Sequence, residues 1–380
     1  MSIFLGIGFG PIQSGIFLSG AQGRFKRLIV AEVDDKLVHA VRKAGGSITI
    51  NIAGKDKVYQ RTISGIEIYN PLNENDLAEL IKVASFADEL CTALPGVSFF
   101  AKIAGWLKEG FDMNPDKRRF IYTAENHNYA AELLKQSIGG GYRNTFFLNT
   151  VIGKMSCVFN LEECSRRRLI PLCECADRGH LVEEFNKILI SRTPDIEKRR
   201  IRGLYVKDNL LPYEEAKLYG HNAVHFLLGI YALHMNLNYM YEISKYPDIV
   251  SKAKTAFIME SGGALLKKWK DEKDFFSNLS FKRYAENLIE RMLNPFLADS
   301  VNRICRDIDR KLGWNDRLIG TIRLCLSQGV ACENFLEGAR LACKIFFKSN
   351  DNCEIRKKLL SLWGDADEGK EHIVSLILRD

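Results

Sequence analysis

Short apolar runs alternate with helical segments along the first half of the chain. The runs that predict strands span residues 3–7, 27–33, 88–94, 119–124 and 145–152, and a helical pattern over residues 35–43 follows the second of them. Strands that alternate with helices favour a parallel sheet covered by helices on both faces. The stretch 48–68 predicts a hairpin or ribbon inserted after the second strand and its helix.

Helical periodicity dominates the second half, where strand patterns almost disappear. Helices are predicted for residues 213–235, 248–269, 281–294, 299–312, 316–327, 335–347 and 353–363. A charged segment that contains proline, TPDIEKRRIR at residues 193–202, separates the halves. We therefore predict an α/β domain with a mainly parallel sheet over residues 1–195 and an all-α domain over residues 196–380.

The composition is that of a soluble globular protein with more than one domain. The chain has 380 residues, 46% apolar and 27% charged, with a mean hydropathy of −0.13, which excludes disordered and coiled-coil classes. Its longest apolar stretch, near residues 225–235, is too short to cross about 30 Å of hydrocarbon. The net charge of +7 is too small to indicate nucleic-acid binding, but it is compatible with phosphorylated or carboxylated small molecules. We expect a cytoplasmic protein with a small-molecule substrate and neither a membrane nor a nucleic-acid partner; monomer and homodimer are not distinguished.

Ten cysteines are scattered along the chain. None forms a CxxC pair, and no pair of histidines completes a zinc-binding spacing. Without an export signal, they are expected to be reduced thiols, mostly buried as small apolar side chains. The sequence therefore predicts no metal site.

A glycine-rich loop, GIGFGPIQSG at residues 6–15, joins the first predicted strand to the first helix. Glycines at this position permit a tight turn and let the backbone approach a pyrophosphate, and the helix N-terminus supplies free N–H groups. Gly8 and Gly10 match the first two positions of the dinucleotide fingerprint, whereas Gln13 stands at the third. Such a loop is also common as a plain turn, so a Rossmann-type nucleotide site needs support from the surrounding sequence.

Acidic residues after the second predicted strand give that support. Glu32 lies 24 residues after Gly8, close to the spacing of about 20 at which an acid binds the ribose hydroxyls. An acid there favours NAD, because it repels the additional phosphate of NADP. Asp34 competes for this role, and either acid could be an ordinary surface residue. The predicted NAD contacts, which include the small turn after the third strand, are Gly8, Gly10, Pro11, Ile12, Glu32, Thr92, Ala93 and Leu94.

One predicted helix carries an amine, an amide and two imidazoles. At about 100° per residue, Lys217, His221 and His225 fall within about 80° of one another, and Asn222 is about 140° from Lys217. The apolar run that begins at Phe226 buries most of this helix, so its polar face requires a partner or a cavity. A stripe of satisfied polar groups against the other domain fits the pattern. A catalytic site fits it too: a partly buried lysine beside a nicotinamide cation has a lowered pKa and can act as a general base, with Asn222 and His225 holding the substrate oxygen.

Asn126 is a further candidate, because it ends the fourth predicted strand. The carboxyl edge of a parallel sheet is where ligands bind. An asparagine donor at this edge could stabilise an alkoxide that develops during hydride transfer.

Together these residues resemble the polyol-specific long-chain dehydrogenases. The most specific match is the spacing Lys217-x4-Asn222-x2-His225, which is the active-site motif of that family, with the lysine as acid/base. The other matching segments cover nearly the whole chain: GFGPIQSG at 8–15, AEV at 31–33, EN at 125–126, MESG at 259–262, NPFL at 294–297, the run 303–319 and EG at 337–338.

The resemblance implies a Rossmann-type N-terminal domain, a helical C-terminal domain and a cleft between them. It also implies metal-independent hydride transfer between a hexitol phosphate and NAD, which yields a ketose phosphate. Lys217 would take the hydroxyl proton, while Asn126, Asn222 and His225 polarise and orient the oxygen. The candidates for phosphate binding are Arg306, Lys311 and Arg317. Each of them could instead form a surface or interdomain salt bridge.

The chain departs from the family pattern in two places. Gly153 and Lys154 stand where the family has Asp and Arg, and Gln13 replaces the third fingerprint glycine. A missing carboxylate near the active site bears on the substrate more than on the chemistry. Two other functions therefore stay open: an enzyme of the same family that acts on a free polyol, an aldonate or a hexuronate, and a nucleotide-binding regulatory protein without turnover.

Overall fold

The computed structural model describes residues 2–272, 275–364 and 367–379. The chain divides into two units, Met1–Leu210 and Leu211–Asp380. The first unit extends beyond residue 195, where the sequence predicts its end, because a strand at Leu204–Lys207 pairs with one at Ile188–Ser191. The charged segment 193–202 therefore lies within the first unit and does not link the two.

The strands of the first unit, within the described residues, are β1 Ile3–Ile7, β2 Arg27–Ala31, β3 Ile48–Ala53, β4 Val58–Ile63, β5 Ile66–Tyr69, β6 Glu89–Thr92, β7 Arg119–Thr123, β8 Thr145–Ile152, β9 Ser156–Asn160, β10 Arg178–Glu183, β11 Ile188–Ser191 and β12 Leu204–Lys207. Eight of them form the main sheet, in the order β12-β11-β8-β7-β6-β1-β2-β5. All neighbours in this sheet are parallel except β8 and β11. The predicted α/β fold with a mainly parallel sheet is confirmed.

A smaller sheet has the order β4-β3-β10-β9. Its strands β3 and β4 form the antiparallel hairpin that the sequence predicts within residues 48–68. The remaining strand of that stretch, β5, pairs in parallel with β2 and so belongs to the main sheet. The sequence analysis does not predict β9 to β12.

Helices cover the sheets of the first unit. Asp34 and Asn73 each cap a helix by accepting two backbone N–H groups, which satisfies donors that have no partner within the helix. The helical segments are a π-helix Gln13–Leu18 that continues as Ser19–Ala21, α-helices Asp35–Lys43, Glu74–Phe86, Phe100–Asp112, Ala130–Ile138 and Leu161–Arg167, and 3₁₀ turns Val97–Phe99 and Ile196–Lys198.

Side chains of the main sheet alternate between two apolar cores, one on each face. Phe4 of β1 and Tyr122 of β7 lie in one core, and Leu5 and Ile121, their sequence neighbours, lie in the other. Both faces are thus covered, as a parallel sheet requires. Because β7, β6, β1 and β2 are parallel neighbours, their carboxyl ends lie along one edge, and the loops that follow them meet there.

The second unit is helical, as predicted. Its segments are Leu211–Glu215, a π-helix Ala216–Asn222, Ala223–His234, a 3₁₀ stretch Met240–Lys245, Pro247–Thr255, a π-helix Ala256–Ser261, Gly262–Lys268, Asn278–Met292, Val301–Cys305, Ile308–Lys311, Ile319–Ser327, Glu333–Phe347, Asn352–Trp363 and Glu368–Ile377. The single helix predicted for residues 299–312 is wrong: Arg306 is extended and Asp307 is left-handed, with φ of 57°, so the helix breaks there. None of the helices in the described parts of the chain is long and apolar enough to span a membrane.

Candidate active site

The glycine loop after β1 depends on the missing side chain of Gly8. This residue has φ of 83°, in the left-handed region, and a Cβ atom would lie 2.7 Å from the carbonyl oxygen of Ala93. The backbone N–H of Gly8 donates to Ala31 at 2.9 Å. The loop therefore packs closely against the ends of β2 and β6, in a conformation that favours glycine.

Gly10, the second fingerprint glycine, differs from Gly8. A Cβ atom at Gly10 would meet no atom within 4 Å, so the protein's own packing does not require glycine there. Space left open beside the backbone at the start of a helix is what a pyrophosphate group needs for a close approach. Pro11 and Ile12, the next two residues, begin that helix and are partly buried.

The structure explains how Gln13 replaces the third fingerprint glycine. Gln13 is fully buried, and its amide lies above Gly6 of β1, where a Cβ atom would come within 1.6 Å of Gln13 Nε2. The helix can thus pack closely on β1 because the strand, and not the helix, carries the glycine at this contact, Gly6. Gly15 plays a similar part toward the smaller sheet, since a Cβ there would lie 2.5 Å from Val182.

The two acids after β2 have different partners. Glu32 accepts the backbone N–H of Phe9, in the glycine loop, at 2.7 Å through Oε2, and those of Val33 and Asp34 through Oε1. Asp34 instead caps the next helix and pairs with Arg178 at 2.5 Å. Glu32 is therefore the acid that contacts the loop, which favours it over Asp34 as a ribose ligand.

The ends of β6 and β7 are joined through a buried carboxylate. Glu125 accepts from the hydroxyl of Thr92 at 2.8 Å and from the backbone N–H of Leu94 at 2.9 Å. Burial raises the pKa of Glu125, while these hydrogen bonds oppose the shift. Ala93 N–H donates to Ile7 of β1, and Asn126, next to Glu125, is exposed at this edge. The predicted contacts Thr92, Ala93 and Leu94 thus form a fixed turn beside the glycine loop.

In the second unit, Lys217 and Asn222 lie in a π-helix and not in a regular α-helix. Hydrogen bonds in a π-helix join residues five apart, and such segments are frequent at functional sites. Residues 217 and 222 are five apart, so the π-helix brings them toward one face, and the angle of about 140° expected for an α-helix does not hold. His225 follows in the α-helix Ala223–His234, with its ring 6.1 Å from that of His221.

The surroundings of Lys217 disfavour its charged form. Burial of the ammonium group lowers the pKa of Lys217 to about 8, Arg317 lowers it further by charge repulsion, and Glu214 opposes the shift. His221 is buried, and burial, together with nearby cations, holds its pKa well below the ordinary value. A lysine with this pKa can lose and regain a proton near neutral pH, as a general acid/base requires.

Asp299 is a residue of this site that the sequence analysis missed. Its side chain is fully buried, and Oδ2 lies 3.2 Å from His225 Nε2, an ion-pair distance without the alignment of a hydrogen bond. Arg303 binds both carboxylate oxygens, Nε to Oδ1 at 2.7 Å and Nη2 to Oδ2 at 2.5 Å. A sequence motif that the resemblance uses lies nearby, because Asp299 stands two residues after NPFL at 294–297.

The three predicted phosphate ligands have different environments. Lys311 is buried, and its ammonium donates to the backbone carbonyls of Ile304 and Arg306, so two of its three donors are already engaged. The Arg306 side chain is 69% exposed and lies near Asp307. Arg317 is mostly buried, donates to Asp316 at 2.7 Å and is close enough to Lys217 to affect its pKa. Arg317 is therefore the candidate whose charge acts on Lys217.

The α/β unit with its glycine loop, and the helical unit with the lowered pKa of Lys217, agree with the resemblance to a dehydrogenase. Residues 209–366 match the family model of the mannitol dehydrogenase C-terminal domain. This part of the chain thus carries that domain, and the resemblance noted from the sequence is confirmed.

Curated relatives match most of the chain and are named mannitol-1-phosphate 5-dehydrogenase. The protein from Neurospora crassa is 27% identical over 348 residues, which cover 88% of this chain and 82% of the relative. Those from Clostridium acetobutylicum and Streptococcus pneumoniae are 26% identical over 335 residues and 24% identical over 343 residues. They cover 85% and 87% of this chain, and 81% and 84% of the relatives.

Solved structures show the same fold. Pseudomonas fluorescens mannitol 2-dehydrogenase, in a ternary complex with NAD and D-mannitol, has a TM-score of 0.76 at 13% identity, with 100% of this chain and 90% of that chain covered. Substrate-free D-sorbitol dehydrogenase has a TM-score of 0.76 at 11% identity, with 99% and 91% covered. At these identities the likeness concerns the fold alone.

Proposed function

We propose that the chain is an NAD-dependent dehydrogenase that interconverts a hexitol phosphate, of the mannitol 1-phosphate kind, and a ketose phosphate, with Lys217 as the general acid/base. The observation that carries this proposal is the placement of Lys217 and Asn222 on one π-helix that continues into the helix of His225, where burial lowers the pKa of the lysine to about 8. An exposed lysine would be almost entirely protonated at neutral pH and would be a poor base. The names of the curated relatives supply the substrate class.

The first unit would hold the cofactor. Gly8 and Gly10, with Pro11 and Ile12 at the start of the helix, would bind the pyrophosphate through backbone N–H groups. Glu32 would bind the ribose, and the turn Thr92, Ala93 and Leu94 would lie beside the bound molecule. NAD⁺, when bound, supplies the acceptor for the hydride that leaves the carbinol carbon. The open space at Gly10 and the contact of Glu32 with the loop fit this group.

The residues of the chain handle the proton and the oxygen. In the oxidation direction, neutral Lys217 takes the proton of the substrate hydroxyl, and its ammonium form returns that proton in the reduction. Asn126, Asn222 and His225 would donate to or orient the oxygen, so that the negative charge that develops on it is stabilised. The proton of the substrate hydroxyl is thus transferred to the Lys217 amine.

Arg317 is the proposed ligand of the substrate phosphate. It is mostly buried, and its charge lowers the pKa of Lys217, which supports a role for this cation at the proposed site. Arg306 is a second, exposed candidate, while Lys311 would have to give up two carbonyl partners to bind a phosphate. A phosphate needs such cations, and arginine can bind it through two parallel hydrogen bonds.

An oxidoreductase of the same family that acts on a free polyol or an aldonate is the second candidate function. It is favoured by the engagement of Lys311 with carbonyl groups and by Gly153, which stands where the resemblance expects an acid. With such a substrate, Arg317 would hold a hydroxyl or a carboxylate instead.

A single assay separates these functions. The appearance of NADH is followed by absorbance with NAD⁺ and a panel of mannitol 1-phosphate, other hexitol phosphates, free hexitols and aldonates. We expect turnover with a hexitol phosphate and a much lower kcat/KM with mannitol. Preference for a free polyol or aldonate would establish the second function, and NAD binding without turnover on any compound would indicate a regulatory protein.

A further inference from the structure

Asp299 is a buried carboxylate held in one place by its neighbours. Its side chain has no exposed surface, and Arg303 binds both oxygens in a bidentate ion pair. Burial alone would raise the pKa of Asp299, but His225 and Arg303 outweigh it and hold the pKa below its ordinary value. The group therefore stays ionised despite burial, and its Oδ2 faces His225 Nε2 at 3.2 Å.

The backbone around Asp299 is also fixed. Its carbonyl accepts the N–H of Met240 at 3.0 Å, and the hydroxyl of Ser300, the next residue, caps the helix Val301–Cys305 through the N–H of Arg303. That helix packs closely on the helix that carries His225, because a Cβ atom at Gly229 would lie 2.6 Å from Ile304. The carboxylate and the imidazole are thus held on two elements in close contact.

We infer that Asp299 is a positioning residue that keeps the proton of neutral His225 on Nε2, so that Nδ1 can accept a hydrogen bond from a substrate hydroxyl and orient it. An acceptor-only carboxylate next to one ring nitrogen favours the tautomer with hydrogen on that nitrogen. Arg303 serves the pair by keeping Asp299 ionised and oriented. The inference rests on the proposed function for the meaning of the free nitrogen, but the tautomer itself does not depend on it.

The substitution Asp299→Asn tests this role with almost no change in shape. The asparagine amide can donate toward Nε2, which favours the opposite tautomer with hydrogen on Nδ1. We expect kcat/KM for the polyol substrate to fall about 10- to 100-fold, the usual effect of removing a group that orients a functional histidine, with the affinity for NAD unchanged.

Glu260→Gln is the matched control. Glu260 is a buried carboxylate of the same unit that accepts from Asn334 and from the backbone N–H of Phe335, where it caps the helix Glu333–Phe347. This variant should lose thermal stability and keep the kcat/KM of the folded protein. If Glu260→Gln lowers kcat/KM as much as Asp299→Asn does, the loss follows from altering any buried acid of this unit. That result would overturn the inference.

The tautomer is measured directly by ¹⁵N NMR of histidine-labelled protein, at a pH where the His225 ring is neutral. His225→Gln identifies the signal by its disappearance. The inference requires the Nε2–H form in the unaltered chain, which can be observed even if Asp299→Asn fails to fold. The Nδ1–H form in the unaltered chain would refute it. If no substrate is turned over but the Nε2–H form is present, the proposed function fails and the pairing of Asp299 with His225 stands.

Discussion

The candidate site of the first unit consists mainly of backbone groups, whereas that of the second unit consists of ionisable side chains. In the first unit the site is mainly backbone: Gly8 lets the loop pack against Ala93, Gly10 leaves room for a ligand, and the acids nearby, Glu32 and Glu125, already accept backbone N–H groups. In the second unit the site is made of ionisable side chains, Lys217 and His225 with their charged neighbours. Binding in the first unit thus depends on shape, and chemistry in the second depends on charge.

This difference predicts different consequences of mutation. A Cβ atom added to the loop of the first unit should change the affinity for cofactor or the stability, while leaving the pH dependence of turnover unchanged. A change of charge at the candidate site of the second unit should alter turnover and its pH dependence and leave cofactor affinity unchanged. Variants in which these effects are mixed would show that the two sites are not separate in this way.

The largest effect is expected from Lys217→Ala. Removing the general base should lower kcat by at least about 100-fold, the low end for a lost acid/base group. The affinity for NAD, measured by fluorescence titration of NADH, should stay the same, because the proposed cofactor contacts lie in the first unit. A retained rate would remove Lys217 from its proposed role.

Lys252→Ala is the control for this substitution. Lys252 is also a helical lysine of the second unit, but it is exposed and pairs with Glu337 at 2.8 Å. Exposed ion pairs contribute about 0–1 kcal/mol to stability. We therefore expect a normal kcat and only a small change in melting temperature for this variant.

The next largest effect concerns the packing of β1 against the first helix. Gly6→Ala would place a methyl group 1.6 Å from Gln13 Nε2, which is buried. Overpacking of this kind costs about 1–3 kcal/mol of unfolding free energy. Gln13→Ala makes room, so Gly6→Ala should cost less in that background, and urea denaturation of the four proteins of the cycle measures the difference. Independent effects of the two substitutions would contradict the compensation between Gly6 and Gln13.

The strand β1 is predicted accurately from a short run of apolar residues. All five residues of β1 are buried, and its predicted bounds are confirmed. In contrast, β9 alternates buried and exposed positions over five residues, and β11 and β12 have four residues each. Such short strands are set by their pairing partners, which a local pattern does not contain. At the helix break of Arg306 and Asp307, the Lys311 ammonium donates to the carbonyls of Ile304 and Arg306, and the hydrophobic periodicity does not reveal these hydrogen bonds.

The candidate site shows a similar limit. Spacing alone identifies Lys217, Asn222 and His225, because they lie on one helix. Asp299 comes from a segment 74 residues after His225, so only the fold brings the two together. Neither the π-helix nor the lowered pKa of Lys217 can be read from periodicity, because both depend on packing against the rest of the unit.

A smaller effect is expected from Gly10→Ala, which tests the backbone site without disturbing the fold. A Cβ atom at Gly10 has no neighbour within 4 Å, so the stability should be unchanged. If the open space receives the pyrophosphate, the Kd for NAD should rise by roughly tenfold, which corresponds to about 1.4 kcal/mol. Gly105→Ala, in the helix Phe100–Asp112, also adds a methyl group to open space and should leave the Kd unchanged. Equal NAD affinity in both variants would exclude Gly10 from the cofactor site.

The smallest effect is a pair of opposite shifts in the pH profile. In the oxidation direction Lys217 must be neutral, so kcat should rise with pH around an apparent pKa of about 8. Arg317→Gln removes a repelling cation, which raises the pKa of Lys217 and moves this rise to higher pH. Glu214→Gln removes an attracting anion and moves it to lower pH. Each shift should be about one pH unit or less, measured as kcat at saturating substrate, and ketone reduction, which needs the ammonium form, should decline over the same range. Shifts in the same direction for both variants would show that the profile does not report the charge around Lys217.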